Sequence, residues 1–145
     1  MLISDILQQK AGGSAVATVA AAASIADALE LLVEHRVGAL VVSGDGVHVD
    51  GVFSERDVAR GLHERGAALL DDQVGSVMTA QVHTCTPATR VLDLARLMTE
   101  HRVRHVPVVV DGRLTGIVSI GDVVKARLDE LEAEREQLVG YIQTG

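Results

Sequence analysis

An internal repeat is the feature that most restricts how this chain can fold. The segment Glu34-His35-Arg36-Val37 recurs 66 positions later as Glu100-His101-Arg102-Val103. Further along, the spacing between the copies falls to 65, because the turn Ser43-Gly44-Asp45-Gly46 is longer than the turn Asp111-Gly112. A difference in length that is confined to a surface turn is expected of a duplicated structural unit. The sequence therefore predicts two similar halves.

Each copy predicts the order strand, helix, strand, strand, helix. In the first copy, residues 16–19 form a short extended segment and Ser24 is the expected cap of an amphipathic helix. Residues 37–42 are too short and too continuously apolar for anything but a buried strand, and residues 47–53 should return antiparallel to it. We expect an α/β (α+β) fold of two pseudo-symmetric β-α-β-β-α repeats whose small sheets pack together.

Helices are also predicted at both ends of the chain. The first residues indicate a short amphipathic helix capped by Ser4, and a long helix begins near Asp122. The expected organisation is a first repeat with its N-terminal helix at 1–66, a linker and second repeat at 67–127, and a helical tail at 128–145. The long helix carries a heptad-like apolar stripe formed by Val124, Leu128, Leu131, Leu138 and Ile142. This stripe favours a contact between subunits, and the alternative is that the helix folds back on its own domain.

Charge and cysteine content exclude several classes of protein. The formal net charge is -7, whereas a general nucleic-acid binder needs a surplus of Lys and Arg on its surface. A single cysteine, Cys85, excludes an intramolecular disulfide, favours a reducing compartment and is expected to be a small buried residue. No apolar run is long enough to cross a bilayer. We expect a cytoplasmic protein that binds neither nucleic acid nor membranes.

Ser-x-x-Asp occurs in both repeats where a predicted strand runs into a helix, as Ser54 to Asp57 and as Ser119 to Asp122. One interpretation is a capping box, in which the serine and the carboxylate satisfy backbone N–H groups. The other is a binding site, because a carboxylate at a helix N-terminus can accept hydrogen bonds from ribose hydroxyls while N–H groups meet a phosphate. The residues alone leave both interpretations open.

Signs of catalytic or metal chemistry are weak. The six histidines show no compact spacing typical of a metal site. Neither Ser54 nor Ser119 has a histidine at a spacing that would activate it as a nucleophile. We therefore expect no enzyme activity, no metal and no required cofactor.

Several spaced motifs occur together and resemble a known family. They are Val74-Gly75-Ser76-Val77-Met78-Thr79, Thr84-Cys85-Thr86-Pro87, the run from Glu100 to Val109, and Gly116-Ile117-Val118-Ser119 with Asp122. This pattern resembles a CBS domain. Because the first half matches it too, residues 3 to 127 are similar to a tandem CBS pair, often called a Bateman module.

The resemblance implies that adenosine-containing ligands such as AMP, ADP, ATP or S-adenosylmethionine bind in two clefts between the repeats. Each cleft would combine the Ser-x-x-Asp of one repeat with the start and central strand of the other. The first cleft would comprise Ser54, Arg56, Asp57, Thr79, Ala80, Arg104, His105, Val106 and Pro107. The second cleft would comprise Ser14, Gly38, Ala39, Leu40, Ser119 and Asp122.

The two clefts differ in charge. Arg56 and Arg104, with His105 as a further candidate, place cations in the first cleft. The second cleft offers no cation at the matching positions, which hold Gly121, Gly38 and Ala39. Since charge-assisted hydrogen bonds are about twice as strong as neutral ones, phosphorylated ligands should prefer the first cleft.

The expected function is a regulatory sensor that binds an adenine nucleotide, AMP or a related one. Its output would be a change in the geometry of a homodimer, or in the surface offered to an unknown protein partner. The alternatives are a scaffolding module that dimerises without a ligand, or a binder of S-adenosylmethionine or NAD(H).

Overall fold

The computed structural model describes residues 1–10 and 16–144. The elements of the first half are α1 (Ile3–Gln9), β1 (Thr18–Val19), α2 (Ile25–His35), β2 (Ala39–Val42), β3 (Gly51–Ser54) and α3 (Glu55–Arg65). Two short 3₁₀ helices follow, at Gly66–Asp71 and Val74–Ser76. The second half contains α4 (Val91–His101), β4 (His105–Val110), β5 (Arg113–Ser119) and the long α5 (Ile120–Thr144).

The first repeat forms a three-stranded sheet in the order β1, β2, β3. Strand β1 is parallel to β2, with Thr18 opposite Val41, and β3 is antiparallel to β2, with Ala39 opposite Ser54. Helix α2 connects the two parallel strands, and α3 follows β3 without a break. The predicted strand, helix, strand, strand, helix order is confirmed.

The second repeat is built around the β4–β5 hairpin. Asp111 and Gly112 both have positive φ, 51° and 76°, as a type I′ turn requires. Cys85 pairs with Val108 in a single parallel bridge, which is the counterpart of the Val19–Val42 pair in the first sheet. The Cys85 side chain is buried, as predicted, and burial raises the pKa of its thiol to about 11.

Two segments of the chain pack in the core of the repeat that does not follow them in sequence. Ile3 and Ile6 of α1 are buried in the core of the second repeat, and the N–H of Ile3 donates to the carbonyl of Thr89 at 2.9 Å. In the same way, Leu69 and Val74 of the linker are buried in the core of the first repeat. The segment before each repeat in sequence therefore belongs to the core of the other repeat.

The helix starts agree with the sequence except at α1. Ser24 caps α2, and its Oγ accepts the N–H of Asp27 at 3.1 Å. The expected Ser4 cap of α1 is wrong, because the N-cap residue is Leu2, whose N–H donates to the Asp5 carboxylate at 2.8 Å. The N–H of Ser4 donates instead to the carbonyl of Pro87, so contacts with the second repeat set where α1 begins.

Both repeats bury the two faces of their central strand. Leu40 and Val42 lie in the first core, while Val41, which points to the other face, is also fully buried. Its counterpart Pro107 on β4 is buried as well. A small sheet that packs against a second sheet must be covered on both faces.

Among the described residues, no helix is long and apolar enough to cross a membrane.

An arginine in a left-handed conformation ends the first helix of each repeat. Arg36 (φ 55°) follows α2 and Arg102 (φ 54°) follows α4. Glycine is favoured at such a position because a Cβ crowds the backbone there.

Replacing Arg36 by glycine should raise the free energy of unfolding by about 0.5–1 kcal/mol, since it removes this crowding. Urea unfolding followed by circular dichroism measures the change. Arg36→Ala is the control, because it removes the same long side chain but keeps the Cβ. Equal stabilities of the two variants would contradict the backbone explanation.

Candidate functional site

The two repeats meet at a cleft beside the β3–α3 junction. The cleft has a cavity of about 240 Å³. Six residues predicted for the first cleft line it: Ser54, Arg56, Asp57, Thr79, Arg104 and His105. Val106 and Pro107 are buried within β4 and, like Ala80, do not line the cavity. The predicted residues from the two halves of the chain are thus brought together.

Asp57 is a buried carboxylate at the first turn of α3. Its side chain is 3% exposed, and its Oδ2 accepts the N–H of Ser54 at 2.9 Å and the hydroxyl of Ser54 at 3.2 Å. Its second oxygen, Oδ1, lies 3.7 Å from Nη1 of Arg60, which is too long for a hydrogen bond. One oxygen therefore caps the helix while the other remains available to a hydrogen-bond donor in the cleft.

Four arginines line the same cavity as this carboxylate. Arg60 and Arg102 line the cavity together with the predicted Arg56 and Arg104. Sequence reasoning missed Arg60, although it lies four residues after Arg56 and therefore on the same face of α3. Nη1 of Arg56 lies 3.5 Å from the carbonyl oxygen of Arg102, which joins α3 to the end of α4. A chain with a net charge of -7 thus concentrates positive charge in one cleft.

His105 does not add to this charge. Burial lowers its pKa, Glu55 and Asp122 raise it, and the nearby cations of Arg104 and Lys10 lower it further, so the resulting pKa lies below the ordinary 6.5. The expectation that His105 could serve as a cation is therefore wrong at neutral pH. Its Nε2 lies only 3.3 Å from where a Cβ on Gly38 would be, so the imidazole packs directly against that backbone.

A second histidine of the cleft was not predicted. His83 lines the cavity, and its ring stacks on that of His101, with centroids 4.2 Å apart and planes inclined by 30°. His83 lies at the start of the second repeat, just before the motif that begins at Thr84, so nothing in its local sequence indicates this contact. Within residues 1–10 and 16–144, no group of three His, Cys, Asp or Glu side chains is arranged to hold a metal ion.

The matching junction of the second repeat is built in a similar way. The N–H of Ser119 donates to Oδ2 of Asp122 at 2.9 Å, and the N–H of Asp122 donates to the Ser119 hydroxyl at 3.1 Å. The ammonium of Lys10 also lies 3.0 Å from this Oδ2 and donates to the carbonyl of Ile117 at 2.8 Å. The positions that match the arginines of the first cleft hold no cation, but the end of α1 brings Lys10 to this junction, which the sequence did not predict.

The remaining residues predicted for the second cleft are dispersed. Ala39 and Leu40 are buried in β2, and Gly38 lines the first cleft. Ser14 lies outside the described residues. Burial raises the pKa of Asp122, but the Ser119 N–H and the Lys10 ammonium lower it more, so the carboxyl is ionised at neutral pH.

The low pKa of His105 predicts a pH-dependent stability. The unfolded histidine binds a proton below pH 6.5, whereas the folded one resists protonation. This contribution to stability is therefore present above pH 6.5 and is lost as the pH falls. Wild type should lose more stability than His105→Gln between about pH 7.5 and about pH 5.5 in urea unfolding. His63→Gln, at an exposed site on α3, is the control. Equal losses in wild type and H105Q would contradict the assignment.

Comparison with known proteins agrees with the fold and the repeat. The family model described as "CBS domain" matches residues 10–64 and 74–129. A relative from Arabidopsis thaliana, the mitochondrial CBS domain-containing protein CBSX3, is 40% identical over 126 residues, which are 84% of this chain and 61% of that protein. The chain spans about three fifths of the length of this relative and of a second one from Acidianus ambivalens, at 61% and 63%.

Solved structures extend the comparison. The CBS-domain containing protein ATU1752 from Agrobacterium tumefaciens is 44% identical with a TM-score of 0.82, covering 88% of this chain and 99% of that one. The CBS domain pair of protein MJ0100, solved with 5-methylthioadenosine and S-adenosyl-L-methionine, is 25% identical with a TM-score of 0.76, covering 87% and 98%. With two matched repeats and these relatives, the chain belongs to the CBS domain family and contains a tandem pair of CBS domains.

Proposed function

We propose that this CBS pair is a regulatory sensor that binds an adenine nucleotide of the AMP, ADP or ATP type in the first cleft. The observation that carries the proposal is a nearly buried carboxylate, Asp57, with one oxygen left for a ligand and arginines around it. A carboxylate in this position suits the two hydroxyls of a ribose. The N-terminus of α3 and the arginines suit the phosphate.

The charge of the cleft favours a phosphorylated ligand. The related MJ0100 pair was solved with 5-methylthioadenosine and S-adenosyl-L-methionine, which share an adenosine group but carry no phosphate. The cavity is lined by four arginines and by the carboxylates of Glu55 and Asp57, so it has an excess of positive charge that such a ligand would not match. A phosphate dianion provides the charge-assisted acceptors that guanidinium groups prefer. We therefore favour AMP-type nucleotides over S-adenosylmethionine for this chain.

Signalling requires that the ligand prefer one arrangement of the repeats. The ligand would contact Asp57 from the first repeat and Arg104 from the second, so its binding depends on their separation. A change in that separation would be transmitted to a partner or to a second copy of the chain. This role is regulatory rather than catalytic.

Substitution of the two carboxylates tests the site. Asp57→Ala should weaken AMP binding at least tenfold, or about 1.4 kcal/mol, in calorimetric titration. Asp122→Ala is the matched control and should weaken it less, because Asp122 has a similar capping role but already binds Lys10. The reverse ranking would contradict the choice of cleft.

A wider ligand panel separates the sensor from its alternatives. Wild-type protein titrated with AMP, ATP, NADH and S-adenosylmethionine should bind AMP or ATP most tightly. Failure to bind any of the four at millimolar concentration would favour a scaffolding module whose Ser-x-x-Asp segments are only helix caps. Tighter binding of S-adenosylmethionine than of AMP would contradict the role of the arginines.

We also propose that α5 pairs with the same helix of a second copy. The apolar stripe does not pack on its own domain, since Leu138 is 64% exposed and Ile142 is 75% exposed. Most of this exposed part lies beyond the CBS match, which ends at residue 129. Alternating spacings of three and four are typical of helices that pair with like helices.

Charge along the stripe favours an antiparallel pair. Arg135 interrupts the stripe within an acidic run that includes Glu132 and Glu134. In a parallel pair, two copies of Arg135 would face each other at the centre of the contact. In an antiparallel pair with Leu128 opposite the partner's Leu138, each Arg135 lies near the partner's glutamates instead.

Removing residues 128–145 should lower the mass in sedimentation from two chains to one. The double substitution Leu131→Gln and Leu138→Gln should do the same with the chain at full length, because it removes the apolar contact. Ala133→Gln, at an exposed position away from the stripe, is the control and should remain dimeric. An unchanged mass after truncation would contradict pairing through α5.

A further inference from the structure

We propose that the nucleotide site continues into a neighbouring groove that binds further phosphate groups, so that the chain prefers ADP and ATP to AMP. This inference rests on the proposed function of the first cleft. Its basis is a groove of about 430 Å³ at the C-terminal end of α4, which shares Arg56, Arg102 and Arg104 with the first cleft. The groove is also lined by Thr99 on α4 and by Ile120 at the start of α5.

The three shared arginines are not neutralised by the protein. In the part of the chain that the structure describes, none of their side chains forms an ion pair with Asp or Glu. Among the residues described, no Asp or Glu lines the groove, whereas Glu55 and Asp57 line the first cleft. Cations that lie close together repel one another, and a bound anion relieves this repulsion. The groove therefore suits an anionic group even better than the cleft does.

The equivalent groove of the first repeat lacks this charge. It lies at the C-terminal end of α2, where Gly38 takes the place of Arg104 and Glu55 takes the place of Ile120. Its one arginine, Arg36, thus lines the groove together with a carboxylate. The group of three arginines is a property of one groove and does not follow from the fold of the repeat.

The shared arginines indicate the path of a phosphate chain. In the proposed function, Asp57 accepts the ribose hydroxyls and the first phosphate lies near Arg56 and Arg104. Because these two arginines also line the groove, the next phosphates extend along them towards Arg102 and Thr99. Guanidinium groups form charge-assisted hydrogen bonds with phosphate oxygens, so each added phosphate gains contacts that AMP lacks.

Calorimetric titration with AMP and with ATP in magnesium-free buffer tests the preference, since Mg²⁺ would bind the same phosphate oxygens. Wild type should bind ATP about tenfold more tightly than AMP. Thr99→Glu places a carboxylate in the groove and should lower this ratio by about fivefold, whereas the neutral Thr99→Gln should keep it. Val33→Glu introduces the same charge in the equivalent groove of the first repeat, where Val33 is 78% exposed, and should also keep the ratio.

Ile120→Glu gives an independent test from a different helix, which keeps the inference testable if Thr99→Glu does not fold. Ile120 is the first residue of α5, where a carboxylate is favourable to the helix. I120E should lower the ratio of ATP to AMP affinity, and its neutral control I120Q should not.

Equal affinities of wild type for AMP and ATP would overturn the inference and leave the proposed function in place. A preference for ATP that T99E and I120E both leave unchanged would show that the groove is not its cause and would also overturn the inference. The same holds if V33E or the neutral variants lower the ratio as much as T99E and I120E do. Absence of binding of either nucleotide would overturn both this inference and the proposed function.

Discussion

The chemistry of the cleft depends on a charged group that is almost completely removed from water. Burial of a carboxylate is costly unless hydrogen bonds and charges compensate it. At Asp57 the compensation comes from the N–H and hydroxyl of Ser54 and from the N-terminus of α3. Because all of these act on one oxygen or on the helix end, the other oxygen still faces the cleft. The same group of atoms can therefore cap the helix and still offer an oxygen to a ligand, so the two interpretations of Ser-x-x-Asp are compatible.

The internal repeat contains two such Ser-x-x-Asp junctions, and they differ in the charged groups that lie near them. Asp57 shares a cavity with arginines from both repeats, whereas Asp122 already has an internal counterion in Lys10. The difference arises because the segment before each repeat packs on the other repeat. α1 brings a lysine to the second junction, while the linker brings Leu69 and Val74 to the core of the first. Two repeats of similar fold can thus contain two junctions with different charged neighbours.

The repeat made much of the fold predictable. Apolar periodicity and the motif spacing identified the strand order, the Ser24 cap and the Asp111-Gly112 turn, because these depend on residues close together in the chain. The motif-based prediction also placed Asp57 and Arg104 at one cleft, as the cavity between the repeats does.

Contacts between distant segments were not predictable in this way. Lys10 meets Asp122 across 112 positions, and His83 stacks on His101 from a position that belongs to none of the quoted motifs. The Ser4 cap was misassigned because the start of α1 is determined by hydrogen bonds to residues 87 and 89 rather than by its own side chains. The neutrality of His105 likewise follows from burial, which its sequence neighbours do not reveal.

A crystal structure of the protein grown with AMP tests the central claim most directly. The account predicts AMP between the repeats, with its ribose hydroxyls within hydrogen-bond distance of Asp57 and its phosphate against Arg56 and Arg104. AMP bound at Asp122 with Asp57 unoccupied, or a cleft that remains empty at saturating AMP in solution and in the crystal, would contradict it.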